Sequence, residues 1–321
     1  MRIDVHAHTI PRAFAQWLTR TQGPSVMAGM LTPHGWVSLE ERADLLAAAG
    51  IDVQVLSLGA RLRLPAEAAQ IANDGLAEIV QQFGGRYAAF ASVPLPDVDA
   101  ALVELARGLD ELGLMGVCTG CSIGDQPLDD PSFEPFWAEM DRRQAVAFLH
   151  PIWRDPDPHV RDWNISRMVS GCFEDATAAL RLIQSGVTTR YPNIKFIVPH
   201  LGGMLPFVYT RLDSENAWRR ERGIQPGAVD SVAEALRHLY YDTVNGFPVS
   251  LECARQAFGV ERLLFGTDYP YCSAAGMPGC VDYVEQAGLS EQERESIFHG
   301  TAERVLGTRG ILQAWQPSSV S

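Results

Sequence analysis

Eight short runs rich in Val, Ile, Leu and Phe punctuate the chain: Met1–His8, Ile51–Ser57, Tyr87–Val93, Leu114–Cys118, Ala145–His150, Ile194–His200, Leu239–Thr243 and Arg262–Asp268. Most lack polar alternation, which is how strands buried on both faces read. Helical signals fall between them. Ser38-Leu-Glu-Glu41 is a capping box, and the helix it opens ends near Gly50. Pro65–Phe83, Val98–Leu112 and Pro131–Arg143 follow; Glu174–Tyr191 stops before Pro192, and Ser290–Leu306 is closed by Gly307. Repeated strand–helix alternation predicts an α/β fold, a (β/α)8 TIM barrel rather than a doubly wound open sheet. Two stretches exceed a minimal barrel, residues 9–37 and 151–173, and are expected as insertions over the carboxyl-terminal mouth of one domain spanning 1–321.

With 321 residues, 46% apolar and 20% charged, the chain can bury a large core. A net charge of −13 argues against nucleic acid and against an anionic membrane as partners. It leaves room for a small anionic substrate, because local arginines and a metal reverse the field inside a cleft. No run of about 18 apolar residues is present, so no membrane span is expected. The N-terminus lacks the basic-then-apolar layout of a signal peptide. Six cysteines in a chain this long do not form a disulfide framework, which points to a reducing cytoplasm. Cys118-x-x-Cys121 has no second pair at zinc-finger spacing.

Histidine placement changes the picture most. His6-Ala7-His8 closes the first apolar run, and residues two apart on a strand point to one face, so two imidazoles can grip one divalent ion. His150, His200 and Asp268 close later runs in the same manner. By strand parity Phe148 and His150 share a face, as do Val198 and His200, while Asp4 shares the inward face with His6 but lies deeper, as a structural residue. All five candidates sit at carboxyl ends of strands, where barrel enzymes keep their active sites. Three neutral imidazoles and one carboxylate suit zinc first, and manganese or iron as well. A fifth group beside the metal moves protons.

These residues lie in motifs with a known likeness. Ile3-Asp-Val-His-Ala-His8, Phe148-Leu-His-Pro151, Pro199-His-Leu-Gly-Gly203, Tyr240-Tyr-Asp-Thr243 and Phe265-Gly-Thr-Asp-Tyr-Pro270 resemble the amidohydrolase-2 group, which includes the aminocarboxymuconate-semialdehyde decarboxylases. The likeness runs in order from residue 1 to about residue 307. It implies a metal-dependent barrel in which His6, His8, His150 and Asp268 bind one divalent ion and His200 is the acid/base. No Lys or Glu ends the fourth strand, where Cys118 and Thr119 stand, which favours one metal over two. The muconate-semialdehyde enzymes place a substrate-binding arginine before the first helix; here Ala28–Val37 has none, and His34 is its polar candidate.

The implied activity is non-oxidative decarboxylation of a small aromatic or enol-type carboxylic acid, with His200 or Asp268 handling the proton. The alternatives are a metal-dependent hydrolase of a lactone, ester or amide, and a non-catalytic metal-binding barrel. Trp153, Arg154, Arg61 and Arg63 are candidates for the pocket wall or for a substrate carboxylate, with Tyr269 or Tyr271 and Asn245 as further lining. Asp242 is assigned to a hydrogen-bond network near the mouth, and Gly202 and Gly203 to close backbone passage by metal or substrate. Relatives of this kind form dimers, so a homodimer or other homo-oligomer is expected.

Overall fold

A computed structural model describes residues 1–25, 37–59, 63–153, 160, 162–272 and 275–307. Eight parallel strands fall inside or beside the eight apolar runs: β1 Ile3–His8, β2 Val53–Ser57, β3 Tyr87–Ala89, β4 Val117–Gly120, β5 Val146–His150, β6 Lys195–Val198, β7 Tyr240–Asp242 and β8 Leu263–Leu264. Hydrogen bonds join β1, β2 and β3 in one sheet, and β4 through β8 in another. Two seams close the ring. Ala91 donates to Gly116 O at 2.8 Å and accepts from Cys118 N at 2.8 Å, linking β3 to β4. Val5 N donates to Phe265 O at 2.9 Å and Asp268 N to His6 O at 2.7 Å, linking β8 to β1. The strands thus circle in chain order as a (β/α)8 barrel.

Two apolar layers hold it together. Inside, Val5, Val53, Val55, Phe90, Phe148, Ile197 and Leu264 pack with one another. Outside, Leu56, Ala89, Leu149, Val198 and Phe265 pack against helices that contribute Trp137, Leu182 and Val284. Side chains from alternate positions of the same strand therefore enter different layers. The last helix, Thr301–Leu306, places Ala302 and Val305 under Ile3, at the amino ends of the strands. Lys195 Nζ donates to Val305 O at 3.0 Å and ties that floor in place.

The capping box at Ser38 forms in both directions and opens the helix Leu39–Ala48. The insertion after β1 contains a helix not foreseen, α1, Arg12–Gln22. Its Phe14, Trp17 and Leu18 form a stripe against Ala68, Ala69 and Ala72 of α2, Ala66–Gln82. The helix expected over Glu174–Tyr191 is in fact two. A longer one, α3, spans Gly171–Gln184, and a short one spans Val187–Arg190. Gly186 at φ +80° separates them, a conformation that ends a helix. Among the described residues no helix is long and apolar enough to cross a membrane.

Strand parity fails at two places that matter. The β1–β2 register slips between Asp4 and Ala7, an extra residue in β1. Val5 and His6 consequently both turn inward, whereas Asp4 lies outside the barrel, bonded to Gln54 Nε2 at 2.6 Å and Thr267 Oγ1 at 2.6 Å. Asp4 is structural, but it does not share a face with His6. At β6, Ile197 faces the interior and Val198 the outer layer. His200 reaches the mouth by a turn at φ +55° after Pro199, and not by sharing a face with Val198.

Candidate active site

His6, His8, His150 and Asp268 meet at the carboxyl-terminal end of the barrel, each offering one donor atom, with all four donors within 4.8 Å of one another. His6 Nε2 lies 3.2 Å from His8 Nε2 and 3.1 Å from Asp268 Oδ1. His8 Nε2 lies 3.0 Å from Asp268 Oδ1 and 3.1 Å from His150 Nε2. Metal bonds near 2.1 Å set at tetrahedral to octahedral angles separate neighbouring donors by about 3.0–3.4 Å. The spacing fits one ion.

The other ring nitrogen of each histidine is held by a neighbour, the arrangement that orients metal ligands. His6 Nδ1 lies 2.7 Å from Asp242 Oδ2, His8 Nδ1 3.0 Å from Ser57 Oγ, and His150 Nδ1 2.9 Å from Pro151 O. A carbonyl only accepts, so the His150 proton sits on Nδ1 and its Nε2 presents a lone pair to the cage. Burial, then His8 and His6, hold His150 well below its ordinary pKa, which keeps it a neutral donor. Burial works against charge on His6, yet Asp242 and Asp268 raise it to about 9. Burial also opposes the Asp268 carboxylate, but His6, His200 and His8 hold its pKa well below the usual range. Asp268 thus stays a carboxylate in the middle of the four donors.

His200 stands beside the cage. Its Nε2 is 3.8 Å from Asp268 Oδ2, an ion-pair distance rather than a hydrogen bond. Its backbone N donates to Asp242 Oδ1 at 2.8 Å, and its Nδ1 to Asp175 Oδ2 at 2.8 Å. Burial disfavours the imidazolium, but Asp175 and Asp268 outweigh it and raise the pKa well above normal. His200 and Asp268 both adopt left-handed backbone, at φ +55° and +58°. Such positions cost about 1–3 kcal/mol each and cluster at functional sites.

The other sequence candidates separate. Tyr269 turns outward and stacks under the Arg42 guanidinium at 4.5 Å, while Tyr271 brings its ring to 5.8 Å from that of His8. Tyr271 is therefore the residue beside the site. Asn245 is exposed and uses its Oδ1 to accept from Phe247 N at 3.3 Å, a loop role. Trp153 lies over Gly171, where a Cβ would come within 2.8 Å of its ring. Arg63 is exposed and lines a cavity together with Gly59, Cys118 and Ile152. Arg61, Arg154 and His34 lie outside the described residues. Asp242 forms the network assigned to it. Gly203 admits Cys172, whose carbonyl O would stand 2.1 Å from a Cβ there, so its role is helix packing rather than access to metal.

Sequence reasoning missed Asp175 and Ser57. Asp175 follows Glu174 at the start of α3 and reads as part of a solvated acidic turn, yet it is fully buried and also accepts from Cys121 Sγ at 3.4 Å. Its only sequence signal is the small-residue surface Ala176, Ala178 and Ala179 beside it, which packs the helix closely on the barrel.

Comparison with known proteins accords with this geometry. The chain is 31% identical over 311 residues to the gamma-resorcylate decarboxylase of Rhizobium sp. (strain MTP-10005), covering 88% of this chain and 94% of the relative. It is 29% identical over 328 residues to the 6-methylsalicylic acid decarboxylase of Penicillium expansum, covering 97% and 98%. A solved dihydroxybenzoic acid decarboxylase from Polaromonas sp. JS666, with bound manganese and the inhibitor 2-nitroresorcinol, superposes with a TM-score of 0.81 at 26% identity, covering 96% of this chain and 97% of that one. A family profile described as Amidohydrolase matches residues 3–308, and the chain belongs to that family.

Proposed function

We propose that this protein is a metal-dependent, non-oxidative decarboxylase of a small aromatic acid with a hydroxyl beside its carboxylate. One observation carries the reading: four donor atoms converge within 4.8 Å, next to a histidine whose two acidic neighbours favour its charged form. The names of the relatives, gamma-resorcylate and 6-methylsalicylic acid decarboxylase, support the class of substrate.

In this reading His6, His8, His150 and Asp268 hold one divalent ion. The ligand set favours zinc, and manganese, found in the Polaromonas enzyme, is the rival. When bound, the ion draws charge from the carboxylate and hydroxyl oxygens of the substrate. Asp242, Ser57 and Pro151 O fix the imidazole rings. His200 hands its Nε2 proton to the ring carbon that bears the carboxylate. The bond between that carbon and the carboxylate then breaks, its electron pair restores the aromatic ring, and carbon dioxide leaves. Asp175 keeps the remaining His200 proton on Nδ1, so the next proton from solvent returns to Nε2. The hydrolase alternative needs His200 as an unprotonated base, which Asp175 and Asp268 disfavour.

The proposal includes one domain over 1–321, with 9–37 and 151–173 toward the mouth. A reducing, cytoplasmic setting is supported by six cysteines, none of which forms a disulfide. A homodimer or other homo-oligomer is supported by apolar side chains left in solvent near the mouth, among them Trp163 at 84%, Met168 at 71% and Phe207 at 87% exposure.

Protein purified without chelators, analysed by elemental mass spectrometry and then given 2,6-dihydroxybenzoate, tests the reading. The expected result is one divalent ion per chain with release of carbon dioxide and resorcinol, lost on chelation and restored by metal. Bound metal with intact ring acids but hydrolysis of lactones or esters would refute it.

A further inference from the structure

Outside the barrel wall, behind β1, a buried polar chain begins at a cation that forms no ion pair among the described residues. The helix Leu39–Ala48 buries only Arg42 and Leu46, four residues apart on one face. Arg42 is 2% exposed. Its Nε donates to Gln54 Oε1 at 2.7 Å and its Nη1 to His8 O at 2.6 Å, while its Cζ lies 4.5 Å from the centre of the Tyr269 ring. Gln54 Nε2 carries the chain on to Asp4 Oδ2 at 2.6 Å. Asp4 also accepts from His6 N at 3.1 Å, Thr267 N at 3.0 Å and Thr267 Oγ1 at 2.6 Å.

These bonds grip the backbone around three of the four cage residues, and none of them ends on a donor atom of the cage. His6 is held at its N by Asp4. His8 is held at its O by Arg42 and at its N by Tyr269 O, 2.7 Å away. Asp268 stands between Thr267, which is bonded to Asp4, and Tyr269, which is stacked on Arg42. Its left-handed backbone, at φ +58°, is a conformation that persists only where the surroundings over-determine it.

Stability alone does not account for a guanidinium at this place. Burial lowers its pKa to about 10, and its Nη2 is buried without a hydrogen bond among the described residues. An apolar side chain of similar volume avoids both costs. Only the planar fork of arginine supplies two bonds in fixed directions and a stacking face at once.

We propose that Arg42 is a positioning residue for the metal centre: through Gln54, Asp4 and Tyr269 it holds the backbones of His6, His8 and Asp268 so that their donor atoms converge before an ion arrives. The inference rests on the metal site of the reading above, and not on the reaction that follows there.

Cobalt(II), added to protein stripped of metal, is the probe, because its visible absorption bands follow the geometry of its ligands. Melting of the metal-free protein is measured on the same samples. Arg42→Met should weaken cobalt binding by about tenfold to a hundredfold, the range for residues that orient metal ligands, and shift the bands. Arg42→Lys keeps the charge but lacks the fork, and should recover part of the affinity. A role confined to docking the helix would lower melting yet leave the cobalt affinity and bands of the folded protein unchanged, and that result overturns the assignment. Should Arg42→Met fail to fold, Arg42→Lys decides: wild-type affinity and bands overturn the assignment, and weaker binding with shifted bands upholds it. Wild-type protein that binds no cobalt refutes the metal site and the assignment with it, whereas wild-type binding that both variants share refutes only the part given to Arg42.

Discussion

Replacing Asp175 by Asn separates holding the metal from moving the proton. Asp175 touches none of the four cage residues through the contacts described above; its oxygens go to His200 Nδ1 at 2.8 Å and Cys121 Sγ at 3.4 Å. Asn keeps the shape and can still accept from Nδ1, but removes the charge that favours the imidazolium. A hydrogen bond to a charged group contributes about 1.5–3 kcal/mol. If His200 must be protonated as carbon–carbon cleavage begins, kcat should fall roughly tenfold to a hundredfold or slightly more. The fold should tolerate the change, because Asp175 is a fully buried acid whose pKa burial has already raised, and Asn avoids the cost of that desolvated charge. Release of carbon dioxide under saturating substrate, metal content and thermal melting would be measured on one preparation. Retained metal and near-normal melting with a depressed kcat is the expected pattern. A kcat within twofold of wild type would show that the Asp175–His200 contact plays no part in turnover.

Three further outcomes follow from the geometry. His150→Ala should weaken metal affinity by roughly a hundredfold or more, whereas His200→Ala should keep the metal and lose turnover; equilibrium dialysis and carbon dioxide release distinguish them. Gly203→Ala puts a Cβ 2.1 Å from Cys172 O on a backbone at φ +62°, so it should destabilise by about 3 kcal/mol or more and lower Tm by several degrees, measured by scanning calorimetry. Cys118, raised to about 12 by burial, and Cys121, raised well above its ordinary value by burial and Asp175, should resist iodoacetamide at pH 8.5 until guanidinium is added, as peptide mass mapping would reveal.

Much of this molecule was legible in the chain, for identifiable reasons. Strands buried on both faces leave unbroken apolar runs, and all eight were readable. The cage residues were readable because each stands at or just beyond a strand end, where a barrel brings distant segments together. Helices whose exposed face dominates were not. Tyr209–Glu221 buries only Asn216 among its 13 residues and shows no apolar stripe, and Gly276–Glu285 begins with Gly and carries Pro278 in its first turn. Parity misled wherever the backbone departed from the regular pleat, at the extra residue of β1 and at the left-handed His200. Asp175 was hidden because a buried acid and a solvated one look alike until the partner across the fold is known.

The seam between β1 and β8 ties residue 5 to residue 265. During synthesis at about 5–20 residues per second, one edge of the first strand waits roughly 13–50 s for its neighbour to be made. For that interval an apolar strand carrying two imidazoles of the proposed metal site lies open to pairing with other chains. An ion held by His6, His8 and Asp268, as proposed above, would then also act as a clasp, joining the earliest and latest parts of the polypeptide once both have emerged.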